Sequence, residues 1–510
     1  MSLTGIIDIG SNSIRLSLIR MLDSGSFFVI DEQKSTPRLA NRMDRHGNMK
    51  AEGIEELIFH LREFLDICAS YQTDQIIAIG TAALRMAKNQ QEIIASVKKE
   101  LDLNIEIISG HEEAYLGYIA VAHTMNVGDA YLIDIGGGST EISLVQNGQI
   151  TATHSFPFGA VTMSNEFHTG SDAENLKKVI PQIKNEFSSV LGPKSPRNVE
   201  VIGIGGTIRN IAGIHQSKIG YTLPITHNYY MTVSETTEVI QTLSLMTLAQ
   251  RKKLDGLSKG RADVIVPGGA ILVALLETVG AKRLRISGRG LRDGVFYSRV
   301  LQQTITPVPV LQNSVHNILV RYFEAKELAE HRTRLALQMF RDAVASGLVP
   351  LDSERILYTA AQLHRIGVRL DFYHYENHTF YLLLNSAVYG LTHREILLAA
   401  AASAYNGKNK IRKLCAPYMP AVITEAELDL AARLGVLVKM AEALDRRHEQ
   451  RVMNASITMN EQVLELYLPD TNEADVEWSN AQSLSPHVKK VFGKELKVIR
   501  SDLKMSPLQD

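Results

Sequence analysis

Two short apolar segments of the chain end in the same three residues, Asp-Ile-Gly. Residues 5–15 read GIIDIGSNSIR, and residues 131–143 read YLIDIGGGSTEIS. In each segment the apolar positions predict a strand, the small and hydroxyl residues predict a turn, and a second apolar run predicts a returning strand. A third strand is predicted after each segment, and Asn147-Gly148 is a typical hairpin turn before the one in the second copy. The chain therefore contains an internal repeat.

Helix and strand patterns alternate between the repeated segments and after them. Residues 52–70 place apolar side chains at helical spacing, and residues 76–79 and 199–204 predict short buried strands. Two hairpin-plus-helix lobes that face each other across a cleft are the architecture of actin, the sugar kinases and the heat-shock ATPases. We therefore predict an α/β fold class, with a duplicated actin-like (ASKHA) two-lobed fold in the first part of the chain.

The pattern changes after residue 302. Residues 304–309 read TITPVP, which predicts a linker because the two prolines disfavour a helix. The following Ala- and Leu-rich chain predicts an all-α domain, and strand-like alternation at residues 454–468 predicts a small mixed domain after it. The predicted domains are lobe I at 1–125, lobe II at 126–302, the helical domain at 303–450 and the C-terminal α/β domain at 451–510.

Composition narrows the possible functions. The 510 residues are 45% apolar and 21% charged, as is usual for globular proteins. A net charge of −1 argues against a general nucleic-acid binder, but it is compatible with a local basic patch for a polyanion. The two cysteines, Cys68 and Cys415, have no metal-type spacing and are typical of reduced thiols in a cytoplasmic protein. We expect no signal peptide and no membrane span.

The first repeat carries a pattern that is typical of phosphate binding. A strand delivers an aspartate to a turn, a glycine lets a ligand approach the backbone, and hydroxyl and amide side chains supply donors beside backbone N–H groups. An arginine on the next strand adds a fixed cation. Taken alone, the loop is explained at least as well by an ordinary hairpin turn. Its candidate residues are Asp8, Gly10, Ser11, Asn12, Ser13 and Arg15.

The second repeat adds two carboxylates and three successive glycines. Three glycines are costly in folding entropy, so they indicate close approach of a ligand rather than a bare turn. We predict that Asp134 and Glu141 hold Mg²⁺, a hard cation that shares oxygen ligands with phosphates. A third glycine cluster, GIGGT, lacks the dinucleotide-binding pattern. The further phosphate-binding candidates are Gly136, Gly137, Gly138, Ser139, Gly205, Gly206 and Thr207.

A pair of glutamates lies between the two glycine-containing loops. Residues 109–114 read SGHEEA and follow a predicted strand at residues 105–108. Acidic residues at the start of a helix often interact only with the helix dipole. Between two phosphate loops, however, a carboxylate can take a proton from a water that attacks phosphorus, and neighbouring carboxylates raise its pKa. Glu112 and Glu113 are the candidates for this role.

Six motifs together resemble the exopolyphosphatase and guanosine pentaphosphatase (Ppx/GppA) family, in its long form with an HD-like domain. They are DIGSNSIRL, GTAALR, SGHEEA, DIGGGSTE, GIGGTI and RADVIVPGGAIL. The resemblance implies that Glu112 is the catalytic base. It also implies that phosphate and metal are bound by Asp134, Gly136, Ser139 and Glu141, and that Thr81, Arg85 and Arg38 line the substrate cleft with the first loop.

The resemblance implies an exopolyphosphatase that releases terminal orthophosphate from inorganic polyphosphate, with Mg²⁺ and a water activated by Glu112. The alternative substrate is guanosine pentaphosphate (pppGpp), from which the same chemistry would remove the 5′ γ-phosphate. Functions of another class are an actin-like kinase and a regulatory protein that binds (p)ppGpp without turnover. We expect a cytoplasmic homodimer that binds polyphosphate or guanosine polyphosphates, with no nucleic-acid partner and no membrane partner.

One segment of the first half departs from the family pattern. Residues 287–294 read SGRGLRDG, where the resemblance leads us to expect SDxGLREG. Gly288 stands in place of an aspartate, and Arg289 in place of a small or neutral residue. We therefore expect an altered ligand contact at this segment.

The helical half resembles an HD-type domain, but it departs from the pattern of an active one. His331, His364, His378 and Asp445 fall near the metal-binding positions, yet Arg365 follows His364 where an aspartate ligand is expected. A guanidinium repels metal ions, so we predict that this domain is not catalytic. Two basic clusters in this half are either a solvated face or a positive track for long polyphosphate. They contain Lys408, Lys410, Arg412, Lys413, Arg447 and Arg451.

Overall fold

The computed structural model describes residues 1–167, 170–191, 199–303, 309–322, 325–469 and 474–501. The chain divides into two compact units, Met1–Val310 and Leu311–Asp510. The first unit contains two mixed sheets with helices, and the second is mainly helical with one small sheet.

The first sheet begins with an antiparallel meander. Its five described strands, in chain order, are β1 (Ser2–Ile9), β2 (Ile14–Met21), β3 (Phe27–Ser35), β4 (Gln75–Gly80) and β5 (Ile105–Ile107), and their order in the sheet is β3-β2-β1-β4-β5. After the meander β3-β2-β1, strands β4 and β5 continue the sheet as parallel neighbours. The central strand β1 is buried at six of its eight positions, as expected for a strand covered on both faces.

The second sheet repeats this topology. Its six described strands are β6 (Ala130–Ile135), β7 (Thr140–Gln146), β8 (Gln149–Phe156), β9 (Glu200–Ile204), β10 (Tyr230–Met231) and β11 (Leu284–Ile286), and their order is β8-β7-β6-β9-β11-β10. Strands β6 to β8 form an antiparallel meander, and β9 and β11 are its parallel continuation. Asn147 and Gly148 both have positive φ in the β7–β8 turn, as predicted. The internal repeat and the α/β fold class are confirmed.

Helices flank both sheets of the first unit. In chain order, they are α1 (Ala51–Ser70), α2 (Ala82–Met86), α3 (Gln90–Leu101), α4 (Gly110–Ala122), α5 (Ala160–Met163), α6 (Asp172–Leu191), α7 (Gly205–Lys218), α8 (Val233–Ser244), α9 (Leu248–Arg251), α10 (Ile265–Val279) and α11 (Leu291–Val295). Helix α10 is apolar and buried on nearly every side because α5, α6, α7 and α8 all pack against it. It is the centre of the core of the second lobe.

Helices α4 and α11 approach each other at backbone distance. A methyl group on Gly294 of α11 would overlap the carbonyl of Leu116 in α4. Only glycine permits this approach, so Gly294 fixes the distance between the helix that carries the glutamate pair and the helix that follows the segment at residues 287–290.

The second unit is built around packed helices. They are α12 (Val310–Arg321), α13 (Lys326–Ala345), α14 (Glu354–Leu363), α15 (Tyr375–Asn385), α16 (His393–Ser403), α17 (Lys408–Cys415), α18 (Glu425–Ala443), α19 (Asp475–Gln482) and α20 (Ser485–Phe492). Helix α16 packs against α14, α15 and α18, and four buried alanines at residues 399–402 allow close contact. The three described strands of the third sheet are β12 (Ser456–Met459), β13 (Val463–Pro469) and β14 (Glu495–Ser501).

The helical region followed by a small mixed region is thus confirmed, while the predicted boundaries between domains stay predictions. Most of the predicted linker, residues 304–308, lies outside the described residues. In the part of the chain that is described, no helix is long and apolar enough to cross a bilayer.

The approach of α4 to α11 makes a prediction about stability. Gly294→Ala should lower the free energy of unfolding of the first unit by about 1–3 kcal/mol, because the added methyl group forces two backbones apart. Urea unfolding measures the change. Gly128→Ala is the matched control, since a methyl group at Gly128 has no neighbour within 4 Å. Equal stability of the two variants would contradict this account.

Candidate active site

Two aspartates occupy equivalent positions in the two sheets. Asp8 lies near the end of β1, opposite Arg15 of β2, and Asp134 lies near the end of β6, opposite Glu141 of β7. Residues directly opposite each other in antiparallel strands project to the same face of the sheet. The repeat therefore places one carboxylate in each lobe at the same structural position, with an opposite charge across from it in lobe I and a like charge in lobe II.

The loops after these aspartates are closed in the same way and touch each other. The Gly10 N–H donates to the Ser13 carbonyl at 3.1 Å, and the Gly136 N–H donates to the Ser139 carbonyl at 3.0 Å. A methyl group on Gly138 would lie 2.6 Å from Ser11 Oγ. The glycines of the second loop are therefore needed for contact with the first loop, which brings the two lobes together at their aspartates.

A cavity of about 320 Å³ lies between the two loops. Most of the predicted phosphate-binding residues line it. They are Asp8, Gly10, Ser11, Asn12, Ser13, Arg15, Thr81, Asp134, Gly136, Gly137, Gly138, Ser139, Gly205 and Gly206. The lining also contains Glu113, the second candidate for the base, and a group that the site prediction did not include, namely Glu32, Arg209, Arg261, Arg289, Arg292 and Asp293.

Two carboxylates of the cavity, Asp8 and Asp134, are partly withdrawn from bulk water. Burial raises the pKa of Asp8, although Arg292 and Arg15 oppose the shift. Burial also raises the pKa of Asp134 to about 6, with Arg209 opposing this shift and Asp8 adding to it. A nearby cation therefore stabilises the ionised form of each of these carboxylates more than it would stabilise that of an exposed carboxylate.

Several arginines face these carboxylates. Burial and the charge of Arg15 lower the pKa of Arg209 to about 10, and the same two causes lower that of Arg261 to about 10. Within the described residues, neither guanidinium has a carboxylate at ion-pair distance, whereas Arg292 pairs with Glu32 at 2.8 Å. The cavity therefore holds positive charge that the protein leaves only partly balanced.

Arg261 explains the glycine at position 206. Its guanidinium lies against the Gly206 α-carbon, where a methyl group would overlap it, and it donates to Thr207 Oγ1 at 3.2 Å. Thr207 is buried behind the cavity wall, so it positions Arg261 and does not line the cavity itself.

Asn12 lines the cavity with an unsatisfied amide group. Both its side-chain nitrogen and its side-chain oxygen are buried and have no hydrogen-bond partner among the described residues. Buried polar atoms are nearly always hydrogen-bonded, so an amide of this kind is typical of a residue that binds a ligand or water.

The two glutamates of α4 point in different directions, because adjacent residues of a helix face about 100° apart. Glu113 lines the cavity with 11% of its side chain exposed, and Arg85 donates to it at 3.0 Å. Burial, and next the charge of Glu141, raise the pKa of Glu113 well above its usual value. Glu112 is 40% exposed, lies outside the cavity and pairs with Arg299 at 2.7 Å. The structure therefore brings Glu113 to the cavity and leaves out Glu112, which the resemblance favoured.

Three further predicted residues also lie outside the cavity lining. Arg85 connects the lobes, since it donates to Glu113 and, at 3.4 Å, to Ser139 Oγ. Glu141 lies beneath the wall, 3.7 Å from Arg85, and accepts a hydrogen bond from Ser155. Arg38 pairs with Asp263 at 2.5 Å.

Arg209 and Arg292 could have been found from the sequence. Arg209 lies four residues after Gly205 at the start of α7, so the two share a helix face. Arg292 belongs to the segment at residues 287–294, which was singled out for its departures alone.

The second unit has an ion-pair network where the HD-type site was expected. His364 Nδ1 faces the Ser403 carbonyl at 2.7 Å, and Nε2 faces Glu442 at 3.0 Å. Arg365 and Lys439 also pair with Glu442, at 3.2 Å and 3.3 Å. Although burial opposes them, His364, Lys439 and Arg365 together hold the pKa of Glu442 well below its usual range. Both ring nitrogens of His364 are occupied, and no group of three or more metal-ligating side chains occurs among the described residues.

The two basic clusters of the second unit are largely paired. Lys408 pairs with Asp429, and Arg412 with Glu425. Arg447 pairs with the buried Glu477 at 2.6 Å. Arg451 likewise pairs with Glu449 at 2.5 Å. These carboxylates balance most of the positive charge on which a polyphosphate track would depend, so the track stays a prediction.

Comparison with known proteins agrees with this geometry. Residues 18–303 match the Ppx/GppA phosphatase family, and residues 310–485 match its domain III. The chain belongs to the Ppx/GppA phosphatase family. It is therefore a phosphoanhydride hydrolase with an actin-like catalytic fold.

Individual relatives differ in the substrate that their names state. The chain is 29% identical over 395 residues, 76% of each sequence, to a guanosine-5′-triphosphate,3′-diphosphate pyrophosphatase of Pseudoalteromonas atlantica. The crystal structure of the Aquifex aeolicus Ppx/GppA family member matches 60% of this chain and 99% of its own, with 28% identity and a TM-score of 0.52. An exopolyphosphatase of Cytophaga hutchinsonii shares the fold at 23% identity, with a TM-score of 0.54 over 59% of this chain and 99% of its own.

The His364 network predicts a loss of stability without a loss of chemistry. His364→Ala removes the imidazole that faces the buried Glu442, and loss of a hydrogen bond to a charged group typically costs about 1.5–3 kcal/mol, so the second unit should unfold at lower urea concentration. Phosphate release per folded molecule should stay near the wild-type value. His378→Ala is the control, because His378 was in the same predicted set but is not part of this network. A bound metal lost together with activity in His364→Ala would contradict this expectation.

Proposed function

We propose that the protein hydrolyses the terminal phosphoanhydride bond of inorganic polyphosphate and releases orthophosphate. The observation that carries this proposal is the cavity between the two loops, in which carboxylates with raised pKa values face arginines with lowered pKa values. A phosphate chain carries about one negative charge per phosphate. It would supply the counter-charge that Arg209 and Arg261 lack.

The residues that line the cavity indicate the chemical class of the substrate. Among the described lining residues no aromatic side chain is present, and the apolar ones are limited to Ala82, Ile135, Ile204 and Leu291. Nucleobases are usually held by stacking on aromatic or guanidinium groups. The cavity offers a base no aromatic surface, whereas its glycines, hydroxyl residues and arginines are the groups that usually bind phosphates.

In the proposed mechanism Glu113 is the general base. Its raised pKa makes it a stronger base than an exposed glutamate, and the hydrogen bond from Arg85 fixes its carboxylate at the cavity wall. Glu113 takes a proton from the attacking water. The loop N–H groups and the arginines stabilise the negative charge of the phosphate chain as the terminal bond breaks.

Magnesium fits the residues of the cavity. Asp8 and Asp134 would hold it, because both line the cavity and both have a pKa raised by burial. Mg²⁺ usually binds through one or two carboxylates plus water and substrate phosphates, which agrees with a pair of aspartates from facing loops. When bound, Mg²⁺ would neutralise charge on the phosphate oxygens. Glu141 lies beneath the cavity wall. We therefore assign it a supporting role for Asp134 and Glu113 and no direct contact with the metal.

Guanosine pentaphosphate is the second candidate substrate. The observation in its favour is the name of the Pseudoalteromonas atlantica relative, whose sequence matches 76% of the chain. The 5′-triphosphate of guanosine pentaphosphate would enter the same cavity, and the guanosine would remain outside.

The assignment of the base is tested with a matched pair of variants. Glu113→Gln should lower kcat by about 10²–10⁴-fold and leave KM nearly unchanged, because it removes the base and keeps the shape of the side chain. Glu112→Gln, one residue away and outside the cavity, should keep near wild-type kcat. The reverse result would restore Glu112 as the base.

The substrate is tested by phosphate release from long-chain polyphosphate and from guanosine pentaphosphate, side by side and with Mg²⁺. We expect a higher kcat/KM on polyphosphate. A higher value on guanosine pentaphosphate would favour the second candidate. Binding of either compound without release would reject hydrolysis of both by this chain.

A further inference from the structure

The segment at residues 287–293, which departs from the family pattern, is held at Gly288 from two sides. The Gly288 N–H donates to His227 Nδ1 at 3.1 Å, and the Gly288 carbonyl accepts from Arg209 Nη1 at 3.3 Å. Gly288 and Arg209 both line the cavity, whereas His227 lies behind the wall. His227 is therefore linked to the cavity through Gly288.

The hydrogen bonds of His227 define its tautomer. Its Nε2 faces the Thr124 carbonyl at 3.0 Å, and because a carbonyl can only accept, Nε2 carries a proton. Its Nδ1 accepts from a backbone N–H, so Nδ1 carries none. His227 is thus a neutral imidazole with both ring nitrogens used, one toward the end of α4 and the other toward the cavity wall.

The contact between His227 and Gly288 is also steric. A methyl group on Gly288 would lie 2.9 Å from His227 Cβ, closer than two carbon atoms can approach. An aspartate at position 288 would force His227 to move. The glycine at 288 and the histidine at 227 therefore depend on each other.

Arg209 and the proposed base have different hydrogen-bond partners at the cavity wall. Arg209 donates to the Gly288 carbonyl, whereas Glu113 accepts from Arg85, which also donates to Ser139. The two residues therefore belong to different parts of the wall, so the phosphate beside Arg209 can differ from the phosphate attacked near Glu113.

We propose that Arg209 binds a non-terminal phosphate of the substrate and that His227 is a positioning residue, which orients Arg209 through Gly288. This inference rests on the proposed function for the identity of the ligand. The Gly288 carbonyl occupies one N–H group of Arg209 and so fixes the direction of the others. If the Gly288 N–H loses its acceptor, the Gly288 backbone is free to rotate. Its carbonyl then no longer fixes the orientation of the Arg209 guanidinium.

Two near-isosteric variants separate the two bonds of His227. In His227→Asn the side-chain oxygen can occupy the place of Nδ1, so the bond from Gly288 is kept and the bond to Thr124 is lost. In His227→Gln the side-chain nitrogen can occupy the place of Nε2, so the bond to Thr124 is kept and the acceptor for Gly288 is lost. With tripolyphosphate as substrate, we expect His227→Gln to raise KM about threefold to tenfold with kcat within about twofold, the effect of one hydrogen bond. His227→Asn should stay near wild type.

A double variant tests whether the effect passes through Arg209. Arg209→Gln should itself raise KM, and adding His227→Gln to it should cause no further rise, because residues that act through one contact are not additive. Equal KM values for the two His227 variants, or an undiminished His227→Gln effect in the Arg209→Gln background, would overturn the proposal.

Calorimetric binding separates this inference from the proposed function. His227→Gln should weaken the binding of tripolyphosphate and leave the binding of orthophosphate unchanged, since orthophosphate does not extend to Arg209. Absence of phosphate release by the wild-type protein would reject the proposed function, while this binding pattern would still support the role of His227. Equal weakening of both ligands would reject the inference even in an active enzyme.

Discussion

Two carboxylates cannot be held close together away from bulk water unless positive charge is supplied near them. Asp8 and Asp134 are in this position because each stands near the end of an equivalent strand and the two loops that follow are in contact. The arginines of the cavity supply part of the positive charge, and those arginines in turn lower one another's pKa. Neither set of charges is fully satisfied by the protein. The proposed magnesium ion and phosphate chain would supply the charges that the protein leaves unbalanced.

The contact between the loops depends on residues with no side chain. Gly137 and Gly138 lie against Asn12 and Ser11 so closely that a methyl group on either would have to displace the other loop. In addition, the guanidinium of Arg261 packs against the α-carbon of Gly206. The glycines thus serve two purposes that are hard to distinguish in a sequence. Gly206 makes room for an arginine of the cavity, and others make room for the opposite lobe.

The sequence predicted the parts of the fold that follow from local pattern. The repeated Asp-Ile-Gly strands, the Asn147-Gly148 turn and the helical second half were readable because each depends on neighbouring residues. The choice between Glu112 and Glu113 was not, since it depends on how α4 is rotated against the second lobe. Arg209 shares a helix face with Gly205, but its neighbours at the cavity, Gly288 and Asp134, are distant in the chain. Long-range packing decides which glutamate reaches the cavity and which residues Arg209 meets there.

The two repeated aspartates have unequal partners. In lobe I the residue opposite the aspartate is Arg15, and in lobe II it is Glu141, with Glu113 nearby. The two equivalent positions of the duplicated scaffold therefore differ in charge, and the positive charge around Asp134 comes instead from arginines elsewhere in lobe II, Arg209 and Arg261. Two phosphates of one chain that lay beside the two hairpins would meet different surroundings. Two lobes with the same residue opposite the aspartate would lack this difference.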